Sequence, residues 1–356
     1  MARAKDAAAK AVAAAARRSF NSRAAVPVPF SARPFFVISF AAMFPALLAT
    51  FFFACSAICG QRLSRLLGGI TANFWRLCWA AALLAALTLV FYPASLRGET
   101  AGWYLLSGVI GFGLGDVALF LAYPLLGSRL TILILMSFAV FFGAAGDWLL
   151  LRTPLRWELA LSIGVILSGL VLALHRPGEP WRWGRGFVFA VIAGWGQGFG
   201  AALSHLAQEK ARAGGFEVAA LSQTAQRAAG GLLVAAAAYA IVRAAKDRAS
   251  HPDAAAAFPA AIPAQAAAPT GRKVVRKNMP FWLMGSVLFG PVFGVTAMQW
   301  ALEVLRNSAL VVAITATAPL MIIPLARWIE KEKASPRALA GTALAVAGVV
   351  MAAFLK

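Results

Sequence analysis

The sequence predicts an all-α polytopic membrane protein with ten transmembrane helices arranged as two five-helix inverted repeats, and three observations predict it. First, 61% of the 356 residues are apolar, only 13% are charged, and the mean hydropathy is +0.76. A soluble domain carries about 25% charged residues and has no means of hiding this much apolar surface. Second, nearly all the charges fall between long apolar runs, which is the pattern of spans and loops. Third, the chain repeats itself at a fixed offset. The formal charge of +20 raises the possibility of nucleic-acid binding, but no soluble domain is left to present a basic face. Loop and tail charges beside a bilayer account for it, so the expected contacts are lipid and a small solute, with no nucleic acid.

Residues 1–33 form an Ala-rich basic tail, with seven Lys or Arg against the single acid Asp6. No apolar stretch precedes Pro34, which argues against a cleaved secretory signal. Arg17-Arg18-Ser19-Phe20 resembles a twin-arginine signal, which multi-span proteins rarely need, and a transit peptide is disfavoured because opposite Arg3, Lys10 and Arg17 there is only alanine and one valine. The composition as a whole fits a disordered cytoplasmic tail.

The first repeat is placed at 34–176, with spans near 36–58, 72–93, 103–126, 130–151 and 156–174. The second, at 177–355, has spans near 185–206, 218–242, 281–302, 308–329 and 336–355, interrupted by an Ala/Pro-rich loose linker at 244–279. Each run is about 20 residues, the length that crosses a hydrocarbon core as helix, and none alternates as a barrel strand would. The repeat pairs Gly115 with Gly294, Ala118 with Ala297, Ala122 with Ala301, Gly169 with Gly348 and Ala173 with Ala352, all 179 positions apart. Upstream, Ala72-Asn73-Phe74-Trp75-Arg76 pairs with Gln223-Thr224-Ala225-Gln226-Arg227 at an offset of 151, and the 28-residue difference falls in the linker. Five spans per half is odd, so the second half enters the membrane from the opposite side, an architecture frequent in secondary transporters.

The segment TATAPLMIIPLARWIEKEKASPRALAGTALAVAGVV resembles the closing part of an EamA-type repeat of the drug/metabolite transporter superfamily. Pro319 and Glu332 are similar to that pattern's helix-four proline and glutamate, Gly341 and Gly348 to the glycine pair opening its fifth helix, and Arg76 to the arginine of its second. The first half departs from it, with Val140, Thr153 and Ser162 at the equivalent places. The resemblance implies export or exchange of a metabolite, with no cofactor, and leaves the substrate open. On physical grounds Gly341 and Gly348, two helical turns apart, suit close helix packing. Glu332, among Lys331, Lys333 and Arg337, suits an interface at a membrane end.

Candidate solute or proton sites are polar groups deep in spans, where they are expensive and usually face a cavity. Asp116 is the only ionisable residue in GVIGFGLGDVALFLAYPLL, and it must be protonated, paired or wetted. It suits a coupling proton or a cationic group, or else a structural ion pair with Arg76 or Arg227. Gln197, Ser204, His205 and Gln208 fall near one helix face, and Gln299 beside Trp300 offers a hydrogen bond next to an aromatic platform. Arg76 and Arg227 suit an anionic group, or snorkel to the interface. Cys55, Cys59 and Cys78 are read as small membrane-facing residues, and Trp148, Trp181, Trp183, Trp282 and Trp328 as interface anchors.

Both termini are expected on the cytoplasmic side of a bacterial inner membrane, a choice set by the first half's loop charges. The chain reads as a non-enzymatic secondary transporter: it has no Walker sequence, and His175, His205 and His251 are scattered without metal-ligand spacing. A lipid flippase, or a channel, receptor or assembly subunit, are the competing readings.

Overall fold

Apolar runs with no period-two alternation, in a sequence rich in Ala and Leu, fold here as helices because a helix satisfies its own backbone groups without water. The structure, a computed structural model, describes residues 40–96, 98–152, 157–174, 184–249, 278–305, 308–331 and 335–354. The expected tail at 1–33 and residues 250–277 of the expected linker lie outside the described residues.

The helices are α1 (Phe40–Leu67), α2 (Gly69–Phe91), α3 (Ala101–Leu151), α4 (Trp157–Leu174) and α5 (Arg185–Ala213). They continue with α6 (Ala220–Ala249), α7 (Met279–Leu305), α8 (Ser308–Thr315, then Ala318–Leu325 and a π-helical turn Ala326–Glu330) and α9 (Pro336–Phe354). Among the described residues all regular structure is helical. Among the described residues six helices, α1, α2, α3, α5, α6 and α7, are long and apolar enough to cross a membrane. Helix α6 runs through 244–249, where the linker was expected to begin, because Ala and Lys favour continuing a helix once it has formed.

Helix α3 is the longest, and its 51 residues would span about 76 Å if straight, well over twice a hydrocarbon core of about 30 Å. It is broken at Gly127, whose φ of 80° and ψ of 167° lie outside the helical region and in a range open to glycine. Contacts with α5 show that the break reverses the chain. Gly186 lies against Leu125 and Leu126 at the break, while Gly196 and Gly200 lie against Gly115 and Gly111 on the arm before it. Gly194, Gly198 and Ala202 lie against Leu135, Ala139 and Gly146 on the arm after it. Walking up α5 therefore descends one arm of α3 and climbs the other, so the arms are antiparallel with α5 wedged between them. The sequence AGWGQGFG supplies the wedge: a Cβ on Gly196 would come within 2.6 Å of the Gly115 Cα, and one on Gly198 within 2.4 Å of the Ala139 carbonyl oxygen.

Helices α4 and α9 form an antiparallel pair of their own. A Cβ on Gly341 would lie 2.4 Å from the Ala173 nitrogen, one on Gly169 2.2 Å from the Ala345 nitrogen, and one on Gly348 2.8 Å from the Ile166 nitrogen. Lipid offers no hydrophobic drive for such a pair, so close van der Waals contact over small residues holds it. Large apolar side chains such as Leu89, Val90, Phe91, Trp157, Leu233, Phe281 and Trp328 are exposed, as a lipid-facing surface requires. Cys59, read as membrane-facing, is instead buried against Gly285 of α7, because its small side chain fits a helix contact.

Helix α8 is interrupted at Ala316–Thr317, just before Pro319. Proline lacks the N–H that would bond to the carbonyl a turn earlier, and its ring crowds that carbonyl. Thr317 is tied locally, its backbone N–H and its Oγ1 both donating to the Ile314 carbonyl, at 3.1 and 2.7 Å. Val140, at the matching place on α3, imposes no such break, and the helix there is continuous.

Candidate functional site

Two helices lose α-geometry at corresponding points: α3 is π-helical over Val109–Gly115 (VIGFGLG) and α7 over Leu288–Val295 (LFGPVFGV). The second stretch contains Pro291, which cannot donate in an α-helical ladder, and both are rich in glycine. Such π segments occur frequently at functional sites. Here they bring backbone against two buried arginines. A Cβ on Gly111 would lie 3.1 Å from the Arg227 Nη2, and one on Gly290 2.8 Å from the Arg76 Nη2.

Asp116 opens the helix directly after the first π segment and is 1% exposed. The Arg76 Nη1 donates to its Oδ2 at 2.7 Å, and Gln197 Nε2 donates to its Oδ1 at 3.4 Å. The same Arg76 nitrogen lies 3.3 Å from the Asn73 Oδ1, and Arg76 Nε donates to the Ser286 carbonyl at 3.3 Å. The Phe120 ring covers the guanidinium carbon at 5.1 Å. Asp116 thus joins α2, α3 and α5 through one carboxylate, and Arg76 extends the tie to α7. Buried charges of this kind persist only when paired and hydrogen-bonded, and this pair is.

Arg227 on α6 is 1% exposed and sits over the Phe112 ring, its guanidinium carbon 5.1 Å from the centroid. It lies close enough to Asp116 and Tyr104 to interact electrostatically. Among the described residues its Nε and Nη1 have no hydrogen-bond partner. The two arginines that looked equivalent in the sequence therefore differ: Arg76 is paired with a carboxylate and bonded through its Nε and Nη1, whereas the same two nitrogens of Arg227 have no hydrogen-bond partner among the described residues. Neither snorkels.

Beside them runs a ladder of neutral groups. Ser107 Oγ donates to the Gly200 carbonyl at 2.6 Å and lies 2.9 Å from Ser204 Oγ, which accepts from Gln299 Nε2 at 3.2 Å. Gln208 Nε2 donates to Gln223 Oε1 at 2.9 Å, and Gln223 Nε2 donates to Glu303 Oε1 at 2.7 Å. The acceptor oxygens of Gln299 and Gln208, and the Tyr104 hydroxyl, are buried without a hydrogen-bond partner among the described residues.

The sequence candidates separate into groups. Asp116, Arg76, Gln197 and Arg227 converge on the π segment of α3, and Gln299 joins the adjoining serines. His205 does not join them: its Nδ1 lies 3.4 Å from Asp147 and its Nε2 3.9 Å from Glu209, in a separate cluster closed by an Arg212–Glu209 contact. Trp300 is 44% exposed while Gln299 is fully buried, so the expected aromatic platform is absent from this side. Adjacent helical residues are rotated by about 100°, which turns one inward and the other out. Pro319 is buried at the start of its helix, Gly341 and Gly348 pack against α4, and Glu332 lies outside the described residues. Sequence reasoning missed Tyr104, Ser107, Asp147, Gln223 and Glu303. Gln223 carried a signal, since it stands four residues from Arg227, one turn along α6. Among the described residues, no three His, Cys, Asp or Glu side chains come together in a way that would hold a metal ion.

A solved crystal structure superposes on this chain with a TM-score of 0.55 at 16% identity, over 88% of this chain and 97% of the other, which establishes a shared fold. No curated protein matches it. The profile of the EamA-like transporter family matches residues 33–175 and again 228–354. The double match and the apolar helices together make this an integral membrane protein of the drug/metabolite transporter superfamily, and the chain belongs to the EamA-like transporter family.

Proposed function

We propose that this transporter moves a small metabolite by alternating access, as an exporter or exchanger, through ten spans built as two inverted five-helix halves at 34–176 and 177–355. With the two arms of α3 counted separately, the nine helices among the described residues are proposed to supply the ten spans. Three features support the inverted halves. The π segments begin at Val109 and Leu288, which are 179 positions apart, the offset of the sequence repeat. Gly111 and Gly290, also 179 apart, each face an arginine of the other half. The α4–α9 pair brings Gly169 and Gly348, again 179 apart, into one antiparallel contact. Two related bundles with polar groups at their junction are the arrangement that rocks about a central site in secondary transporters.

The observation that carries the reading is the buried Asp116–Arg76 pair beside a π segment, at a junction of helices from both halves. Asp116 is the proposed site of a coupling proton. Protonating it removes the charge that holds Arg76, and so weakens the ties that Asp116 and Arg76 make to Gln197 and Ser286 of the second half, which lets the halves shift. Arg76, Gln197 and Gln299 are proposed to line the same pathway, whereas His205 and Trp300 lie away from it. The 2.7 Å bond favours a second reading, in which the pair is a permanent tie.

Reconstituted vesicles decide between them. A labelled metabolite mixture loaded inside, with an imposed pH gradient, is expected to leave faster through the wild type than through Asp116→Asn, the variant remaining folded and inserted. Equal rates and equal pH response in the two would remove the coupling role, and loss of folding in Asp116→Asn would favour the permanent tie. Transfer of labelled lipid between leaflets, without metabolite flux, would replace the solute transporter by a flippase.

A further inference from the structure

We propose that Arg227 receives the anionic group of the transported solute, so that the substrate class is a small molecule carrying one carboxylate or phosphate. The proposal deepens the transporter reading and rests on it.

A guanidinium keeps its charge in any protein environment, and a buried one is costly unless each N–H finds an acceptor. Arg76 has acceptors for its Nε and Nη1 in the Ser286 carbonyl, Asn73 and Asp116. Arg227 is at least as buried, yet two of its nitrogens, Nε and Nη1, have no hydrogen-bond partner among the described residues. The cause is visible in the repeat. The position 179 residues after Asp116 is Val295, a buried apolar side chain. The carboxylate that neutralises one arginine thus has no counterpart for the other.

The surroundings fit an incoming anion. Helix α3 packs Gly108 against the Arg227 backbone and places Gly111, which has no side chain, beside the guanidinium, and Phe112 supplies a flat apolar wall. Tyr104, three residues before Ser107 on the same helix, lies within electrostatic range of Arg227 and has a buried hydroxyl with no partner among the described residues. Arg76, Arg227 and Asp116 leave one net positive charge at the junction, which suits a single anionic group. Asp116 lies within electrostatic range of Arg227 as well and disfavours a second negative charge. Glu303 and Arg212 also lie within electrostatic range of Tyr104, the former held by Gln223. The Gln299 Oε1, buried and without a partner, is an acceptor for a hydroxyl or ammonium elsewhere on the solute.

The test uses the full chain in phosphatidylcholine nanodiscs, with apparent Tm followed against inorganic phosphate, lactate and glycine, and against glycerol and glycinamide as probes lacking the anionic group. Phosphate, or the two carboxylates, should raise Tm in a saturable way, and which of them does so assigns the anion. Arg227→Gln should weaken that response about tenfold or more, the loss of a charge-assisted bond, and Arg227→Lys should weaken it less. Gly111→Ala keeps the arginine and intrudes on it, so it should also weaken the response, and it decides the matter if Arg227→Gln does not fold. A Tm raised equally by glycerol or glycinamide, a response unchanged in Gly111→Ala and Arg227→Gln, or no response to phosphate, lactate or glycine would overturn the proposal. So would a shift produced only by anionic lipid added to the discs, which would make a headgroup the ligand. Metabolite flux that persists with neutral solutes and is indifferent to Arg227 would sink this assignment and leave the transporter reading intact. Absence of flux for every solute would sink both.

Discussion

Asp116 shows how much a single residue decides in a low-dielectric interior. Removing its carboxylate leaves Arg76 buried beside Phe120 with only Asn73 and a backbone carbonyl. Breaking one side of a buried pair costs about 3–5 kcal/mol, so Asp116→Ala is expected to lower thermal stability in detergent sharply. The double change Asp116→Leu with Arg76→Met removes both charges and should recover a large part of that loss. A double variant as unstable as Asp116→Ala alone would show that the pair is not what holds α2 to α3. The sequence exposed Asp116 because a lone carboxylate in an apolar run stands out. It left the partner open between Arg76 and Arg227, since 40 residues and an unknown helix arrangement separate Asp116 from Arg76. Trp300 misled for a local reason: adjacency in sequence was taken as adjacency in space, and a helix separates such neighbours.

Helix contacts in this bundle are written in glycine, and α4 allows the claim to be tested within one element. Gly164 and Gly169 stand on the same helix, but a Cβ on Gly164 would meet nothing within 4 Å, whereas one on Gly169 would lie 2.2 Å from the Ala345 nitrogen. Gly164→Ala should be neutral or stabilising by roughly 0.5–1 kcal/mol, through backbone entropy alone. Gly169→Ala should destabilise by about 1–3 kcal/mol, because backbone must move to admit the methyl group. Thermal unfolding of the two variants side by side checks both, and equal stability would deny that the α4–α9 contact is tight. The glycine pair Gly341 and Gly348 was legible from spacing. The Gly194–Gly200 run was not read as a wedge, because alternate glycines on a helix reveal their two faces only when both neighbours are known. The reversal of α3 falls between the apolar runs read as 103–126 and 130–151, and its agent, Gly127, was hidden in a helix that continues after the turn.

Across the whole molecule, the charge pattern and the span count make one joint prediction about sidedness. The matched segments at 33–175 and 228–354 place a family repeat on either side of the chain's middle, and α6 and α7 flank the basic Ala/Pro stretch. With both termini cytoplasmic and α3 crossing twice, seven spans precede that stretch, which puts it on the outer side of the membrane. Arg243, Lys246, Arg248, Arg272, Lys273, Arg276 and Lys277 then lie outside, against the positive-inside tendency. Early spans usually dominate insertion, so the first half is expected to set the orientation against the later charges. A fluorescent protein that matures only in the cytoplasm, fused after Lys356, is expected to fluoresce, while a phosphatase active only outside, inserted near residue 260, is expected to be active. The reverse result for both fusions would invert the molecule and keep ten spans. Residue 260 and the C-terminus reporting from the same side would leave an even number of crossings after the linker, and the two-halves architecture would then fail.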